Sequence, residues 1–217
     1  MRVGSGVPRR TNSGASQGDA DGTRPAGSMD RPRLPVGILA LQGDFAKHAE
    51  ALGCAGLESR EIRKPGELGS VSGLVFPGGE STTLLKFFER EGWETPLREF
   101  AASGRPILAT CAGLILLARK VENPEQRSLG VLDVDVVRNA YGRQVDSFIG
   151  RARGPAGEEM EAVYIRAPKI SRVGPGVEIL AKEGDDPVWV RQGNVQAATF
   201  HPELSEATEV HRRAFCP

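Results

Sequence analysis

A chain of 217 residues, 39% hydrophobic and 26% charged, has the length and balance of one globular domain of ordinary α/β size. Its 28 basic and 28 acidic side chains cancel, which leaves no electrostatic case for nucleic acid or an anionic membrane surface. The best apolar run, Leu114 to Ala118, is far too short for a membrane span, and no apolar segment of signal-peptide length follows the N-terminal arginines. Cys54, Cys111 and Cys216 are few and widely spaced, suggesting neither a disulfide framework nor a zinc site. A reduced, cytoplasmic protein is the expectation.

Residues 1–33 are rich in Gly, Ser, Arg, Pro and Asp and carry few large apolar side chains, so a disordered extension is expected, with the natural start at Met29. The folded domain is then 34–217. Val36 to Leu41 reads as a buried strand, Gln42-Gly43-Asp44 as a turn, and Phe45 to Leu52 as a helix ended by Gly53. Strands follow at Glu58 to Ile62 and at Gly73 to Phe76, the second stopped by Pro77-Gly78-Gly79. Ser81-Thr82-Thr83 reads as an N-cap region for a helix to Glu91 with Phe87 and Phe88 inward. A helix over Thr95 to Ala102 precedes the apolar strand Ile107 to Thr110, and Ala112 to Arg119 reads as the helix after it.

Alternating strands and helices predict a three-layer α/β fold, a mostly parallel central sheet with helices on both faces. Beyond Asn123 the texture changes. Strand candidates at Val131–Val137, Ala162–Ile165, Val177–Ala181, Pro187–Arg191 and Asn194–Thr199 predict a small antiparallel extension. Gly150 to Glu159 reads as a mobile loop, and Ser205 to about Ala214 as a short closing helix.

Chemistry gathers at strand ends, where open α/β sheets hold their ligands. Cys111 sits at the corner between a strand and a helix, with Gly113 two residues on, the arrangement of a nucleophile elbow. By itself, a buried core cysteine is the commoner reading of such a residue. His201 and Glu203 follow the last apolar strand, two residues apart, and in extended backbone would point to the same side. A carboxylate so placed can fix one imidazole nitrogen and leave the other to exchange a proton with a thiol. The bland reading is a surface histidine beside a solvated carboxylate. Gly78-Gly79 lets backbone N–H groups approach a ligand, or simply makes a tight turn. Arg138 and Arg166 lie after strands and could clamp a carboxylate or stand in solvent.

Taken together, Leu-Gln-Gly-Asp (41–44), Pro-Gly-Gly-Glu-Ser-Thr-Thr (77–83), Thr-Cys-Ala-Gly-Leu-Ile-Leu-Leu-Ala (110–118), Arg-Asn-Ala-Tyr-Gly-Arg-Gln-Val-Asp-Ser-Phe (138–148), Tyr-Ile-Arg-Ala-Pro (164–168) and Phe-His-Pro-Glu-Leu (200–204) resemble the glutaminase subunits of pyridoxal 5′-phosphate synthase, class I (triad) glutamine amidotransferases. The elbow and the His-Pro-Glu piece are shared across that class; the 77–83 and 138–148 pieces are the more specific. The resemblance implies Cys111 as nucleophile, His201 and Glu203 as its partners, and L-glutamine held by Gly79, Glu80, Ser81, Arg138, Ile165 and Arg166. It implies no cofactor and no metal. It also implies a partner, the lyase subunit, whose dodecameric core is decorated by glutaminase subunits and receives their ammonia. The free glutaminase would then be poorly active until docked, and Gln42 becomes the candidate for sensing the partner. Ala109 stands where many relatives have Gly. The closing helix looks short for the family, which raises the alternative of an inactive member that keeps only the fold.

Overall fold

The strands Val36–Leu39, Gly73–Phe76 and Ile107–Thr110 are buried along their whole length, which requires cover on both faces of the sheet. The computed structural model describes residues 34–138, 140, 147–205 and 208–216. Expectations about residues 1–33, and part of the 138–148 piece, lie outside them. Strands β1 (Val36–Leu39), β2 (Ser59–Ile62), β3 (Gly73–Phe76), β4 (Ile107–Thr110) and β12 (Val195–Ala198) form the parallel part, in the order β2-β1-β3-β4-β12. Antiparallel strands β11 (Asp186–Gln192), β10 (Glu178–Glu183), β7 (Ser147–Arg153) and β8 (Glu159–Ile165) continue it to nine. Strands β5 (Ala118–Glu122), β6 (Leu132–Val137) and β9 (Lys169–Val173) make a second, three-stranded sheet.

Period-two alternation divides the strand residues between the two faces. Leu39, Leu74, Phe76, Ile107 and Ala109 pack with helices α2 (Ser81–Glu91), α3 (Glu94–Ala102) and α4 (Ala112–Leu117). Ile38, Val75 and Val36 pack with Leu52 of α1 (Phe45–Cys54), and Leu108 and Ala198 with Val210 and Ala214 of α5 (Glu209–Phe215). The expected parallel sheet with helices on both faces is therefore observed, with four extension strands. Phe88 anchors α2 by meeting Phe76 edge-on at 6.5 Å. Such a pair adds about 1 kcal/mol beyond the area it buries.

Several boundaries differ from the expectations. Helix α1 runs through Gly53 to Cys54, so Gly53 does not end it. Helix α2 begins at Ser81 with Glu80 as an N-cap that makes no side-chain cap bond; the Thr82 hydroxyl donates to the Glu80 carboxylate at 3.1 Å. Phe87 is half-buried beneath the Arg90 guanidinium at 4.9 Å, while Phe88 alone is fully inside. Helix α4 stops at Leu117. Ala118 turns extended and pairs with Leu132, and Arg119 grips Asp135 with two bonds of 2.9 and 2.5 Å across β5 and β6. Gly150–Glu159 is not a loop: β7 and β8 form a hairpin with Gly150 opposite Ala162 and Arg153 opposite Glu159. Ile149 faces outward with Ser147, Arg151 and Arg153, and only Ala152 of β7 is buried, so the strand shows no apolar-in, polar-out alternation. Strand β9 has no counterpart among the expected elements. A 3-10 turn, Pro202–Leu204, precedes α5, which starts later than expected.

Candidate active site

Strand β4 delivers Cys111 to a corner with φ 47° and ψ −103°, left-handed backbone that strains any residue with a Cβ by about 1–3 kcal/mol. Bonds on either side hold it there: Cys111 N–H donates to Ala198 O at 2.9 Å, and Ile115 N–H donates to Cys111 O at 3.2 Å. Gly113 makes the elbow possible, since a Cβ there would overlap Phe76 O and push α4 away from β3. The thiol is buried and donates to Ile165 O at 3.8 Å.

Strand β12 pairs in parallel with β4, Ala198 opposite Thr110, so both chains leave the sheet at the same end. That neighbourhood brings Cys111 and His201 together across ninety residues of sequence. His201 N–H is anchored on Val163 O at 2.8 Å, and His201 Nδ1 lies 2.7 Å from Glu203 Oε1. The pair does not form in extended backbone, as expected, but across the start of the 3-10 turn at Pro202. Burial opposes charge on His201, yet contact with Cys111 and Glu203 outweighs it and raises its pKa to about 10. Burial likewise pushes the Glu203 carboxyl up, but the imidazoles of His48 and His201 hold it below its ordinary value. His201 Nε2 makes no hydrogen bond among the described residues; the thiol is turned to Ile165 O.

A cavity of about 270 Å3 opens in front of the thiol. Gln42, Gly79, Glu80, Ser81, Cys111, Arg138, Ile165, Arg166 and His201 all line it, with Glu203 behind His201. Gln42 Oε1 accepts from the Glu80 backbone N–H at 2.7 Å, which ties the Gly79–Glu80 segment to the end of β1. Arg138 faces Glu80 across 3.5 Å, a long pairing that a substrate carboxylate can replace. The Ser81 hydroxyl donates to Gln126 at 2.9 Å. Arg166 is exposed, with φ 43°. Asp44, His201 and Glu203 offer ligand atoms within 4.8 Å of one another, but one His201 nitrogen is already engaged with Glu203.

Two histidines absent from the expected site lie behind His201 and Glu203. His48 and His211 are fully buried; His48 reaches Thr110, His211 and Glu203. A signal existed in the i, i+4 spacing of His48 and Leu52, which share the inner face of α1.

A thiol at an elbow, an imidazole oriented by a carboxylate, and a pocket with a cation suit acyl transfer from a small carboxylated amide. A family model for SNO glutamine amidotransferases matches residues 38–215. The chain belongs to the SNO glutamine amidotransferase family. The pyridoxal 5′-phosphate synthase subunit PdxT of Koribacter versatilis is 53% identical over 179 residues, which are 82% of this chain and 92% of that protein. Its namesake in Desulforudis audaxviator is 49% identical over 181 residues, 82% and 96% of the two chains. A solved glutamine amidotransferase is 48% identical, with a TM-score of 0.77 over 82% of this chain and 95% of its own. PurLQS from Thermotoga maritima, at 16% identity and a TM-score of 0.60 over 81% and 92% of the two chains, shares the fold. No helix among the described residues of this family member is long and apolar enough to cross a membrane.

The buried imidazoles make stability depend on pH on both sides of neutrality. Burial first, then His48, lowers His211 from 6.5 to about 3. Its stabilisation is fully present above pH 6.5 and is lost as pH falls from there toward 3. His201, raised from 6.5 to about 10, contributes stability present below 6.5 and lost as pH rises toward 10. Each group contributes a slope of at most about 1.4 kcal/mol per pH unit. Urea unfolding across pH is expected to show both limbs, with His211→Leu flattening the acid one. A wild-type stability that stays level between pH 6.5 and 3 would contradict the assignment.

Proposed function

We propose that this chain is the glutaminase subunit of a pyridoxal 5′-phosphate synthase. It hydrolyses L-glutamine to L-glutamate and ammonia and hands the ammonia to a lyase subunit, whose dodecameric core it decorates. The convergence of Cys111, His201 and Glu203 on one pocket carries this reading, and the names of the relatives at about half identity support it.

Cys111 attacks the side-chain carboxamide carbon of glutamine as thiolate. The resulting oxyanion is received by backbone N–H groups near Gly79 and by the Ala112 N–H, which has no acceptor within its own helix. His201, protonated at neutral pH, gives its proton to the departing nitrogen, and ammonia leaves as the C–N bond breaks. The now neutral imidazole takes a proton from water, whose oxygen attacks the thioester carbon. Glutamate leaves and Cys111 is restored. Glu203 holds the ring and stabilises its charged form. Arg138 clamps the α-carboxylate of glutamine; Glu80, Ser81, Ile165 and Arg166 complete its pocket. The subunit works in the cytoplasm, in keeping with the free thiols of Cys54 and Cys216 on its surface. Residues 1–33 form an extension outside the catalytic domain of 34–217.

In the resting site the Glu80 N–H is committed to Gln42, and the thiol donates to Ile165 O. Both arrangements suit an enzyme switched on by docking, with Gln42 as the sensor. Glutamate release measured with and without the lyase subunit tests the reading: activity must rise with the partner. Gln42→Ala is expected to remove most of that rise while leaving the thermal midpoint near wild type. Full activity without the lyase would leave no place for docking, and an unchanged rise in Gln42→Ala would remove Gln42 from the switch.

A further inference from the structure

Glu203 Oε2 accepts no well-aligned hydrogen bond, although the carboxylate is buried and its other oxygen serves His201. A buried carboxylate oxygen with nothing to accept is costly, and Glu203 must nevertheless hold one orientation for the triad to work. A nitrogen donor stands close by on another element. His48 Nε2, from α1, stands 3.3 Å from Glu203 Oε2 and 3.2 Å from Thr110 Oγ1, on the strand that carries the elbow. Behind it, His48 Nδ1 lies 3.0 Å from His211 Nε2 of α5.

Elementary proton accounting fixes this chain. Burial, opposed by Glu203, lowers the pKa of His48, and His211 is lowered to about 3, so both rings are neutral around pH 7 and carry one N–H each. An ionised carboxylate only accepts, so the His48 proton belongs on Nε2. His48 Nδ1 is then an acceptor, and His211 Nε2 must donate to it. That leaves His211 Nδ1 bare, and it has no hydrogen-bond partner among the described residues. An unmatched acceptor there is the cheaper choice than an unmatched buried N–H.

We infer that His48, oriented by His211, is a positioning residue for the triad. Its Nε2–H donates to Thr110 Oγ1 and lies beside the second oxygen of Glu203, 3.3 Å away, so that its dipole favours the carboxylate held on His201 without adding a competing charge. The inference rests on the triad reading above. It goes beyond it by extending the site through the sheet to two helices that touch neither substrate nor thiol. The charged and titratable groups facing this chain are Glu203 and His201 from the turn after β12, Cys111 from the elbow, Asp44 before α1 and His211 from α5.

The chain contains three histidines, so 15N NMR of histidine-labelled full-length protein can follow every imidazole. At neutral pH, His48 and His211 are expected as neutral Nε2–H tautomers. His48→Leu removes the donor. The midpoint of His201 should then fall by about one pH unit, and kcat with the lyase present by about tenfold, with the glutamine KM little changed. His48→Gln carries an N–H the same number of bonds from Cβ as His48 Nε2 and should recover most of both losses. A His48 ring protonated on Nδ1 would overturn the inference. So would a His201 midpoint unmoved in His48→Leu, or equal impairment of the Leu and Gln variants alongside equal thermal destabilisation, which is the mark of packing alone. The NMR readouts need neither glutamine nor partner. Hydrolysis persisting in Cys111→Ala would therefore sink the triad while leaving the tautomer result standing.

Discussion

Cys111→Ala is expected to lower lyase-stimulated glutamine hydrolysis by at least about 10³-fold, with the fold intact. No second thiol replaces the nucleophile: Cys54 and Cys216 are on the surface, and Cys111 is the one cysteine among the described residues that line the cavity. Ammonia release at the wild-type rate would refute the triad. The same position allows a second measurement that separates chemistry from backbone. Cys111→Gly is equally inactive, but glycine tolerates φ 47° and ψ −103°, whereas alanine keeps the Cβ that is strained there. The Gly variant should be the more stable of the two by about 1 kcal/mol in urea, the reverse of the usual order for these residues. If Ala proves as stable as Gly, the elbow stores no strain, and the corner must be held by packing alone.

How much of this could be read before the fold was known depends on where each signal resides. Strand β4, Cys111 and Gly113 are contiguous, so a buried run, a nucleophile and a required small residue appear together in sequence. Most of the parallel half of the sheet was legible for the same reason, since β1, β3 and β4 are short apolar runs followed by helices. Strand β7, which pairs with the expected β8, was not. Its apolar residues Phe148 and Ile149 fall on opposite faces among arginines and glycine, and its partner strand, rather than its own composition, makes it a strand. Strand β5 was hidden differently: Ala118 to Val121 continues a helix-favouring composition, and only pairing with β6 decides the outcome. His48 and His211 lay beyond reach because their roles exist only in relation to Glu203, which stands 155 residues from the first of them in the chain. Composition assigns a buried histidine no function; a carboxylate oxygen in need of a donor does.

Gly78→Ala should disable the site from the opposite wall. A Cβ at Gly78 would overlap His201 Cε1 and lie 3.1 Å from His201 Nδ1, but 3.4 Å from Cys111 Cβ, an ordinary contact. Gly78 does not occupy the left-handed region, so the substitution brings no backbone strain of its own. The whole penalty falls on the imidazole, which is buried and anchored by Glu203, and has little room to retreat. A ring displaced by about 1 Å loses its alignment with both thiol and leaving group, for which a fall in kcat on the order of 10²-fold is expected. Overpacking should also cost about 1–3 kcal/mol of stability. A double-mutant cycle isolates the cause. In a His201→Ala background the methyl at position 78 meets empty space, so Gly78→Ala should there cost almost nothing in urea unfolding. An equal loss in both backgrounds would show that residue 78 is constrained by something other than the imidazole, and that the glycine is there for the turn rather than for His201.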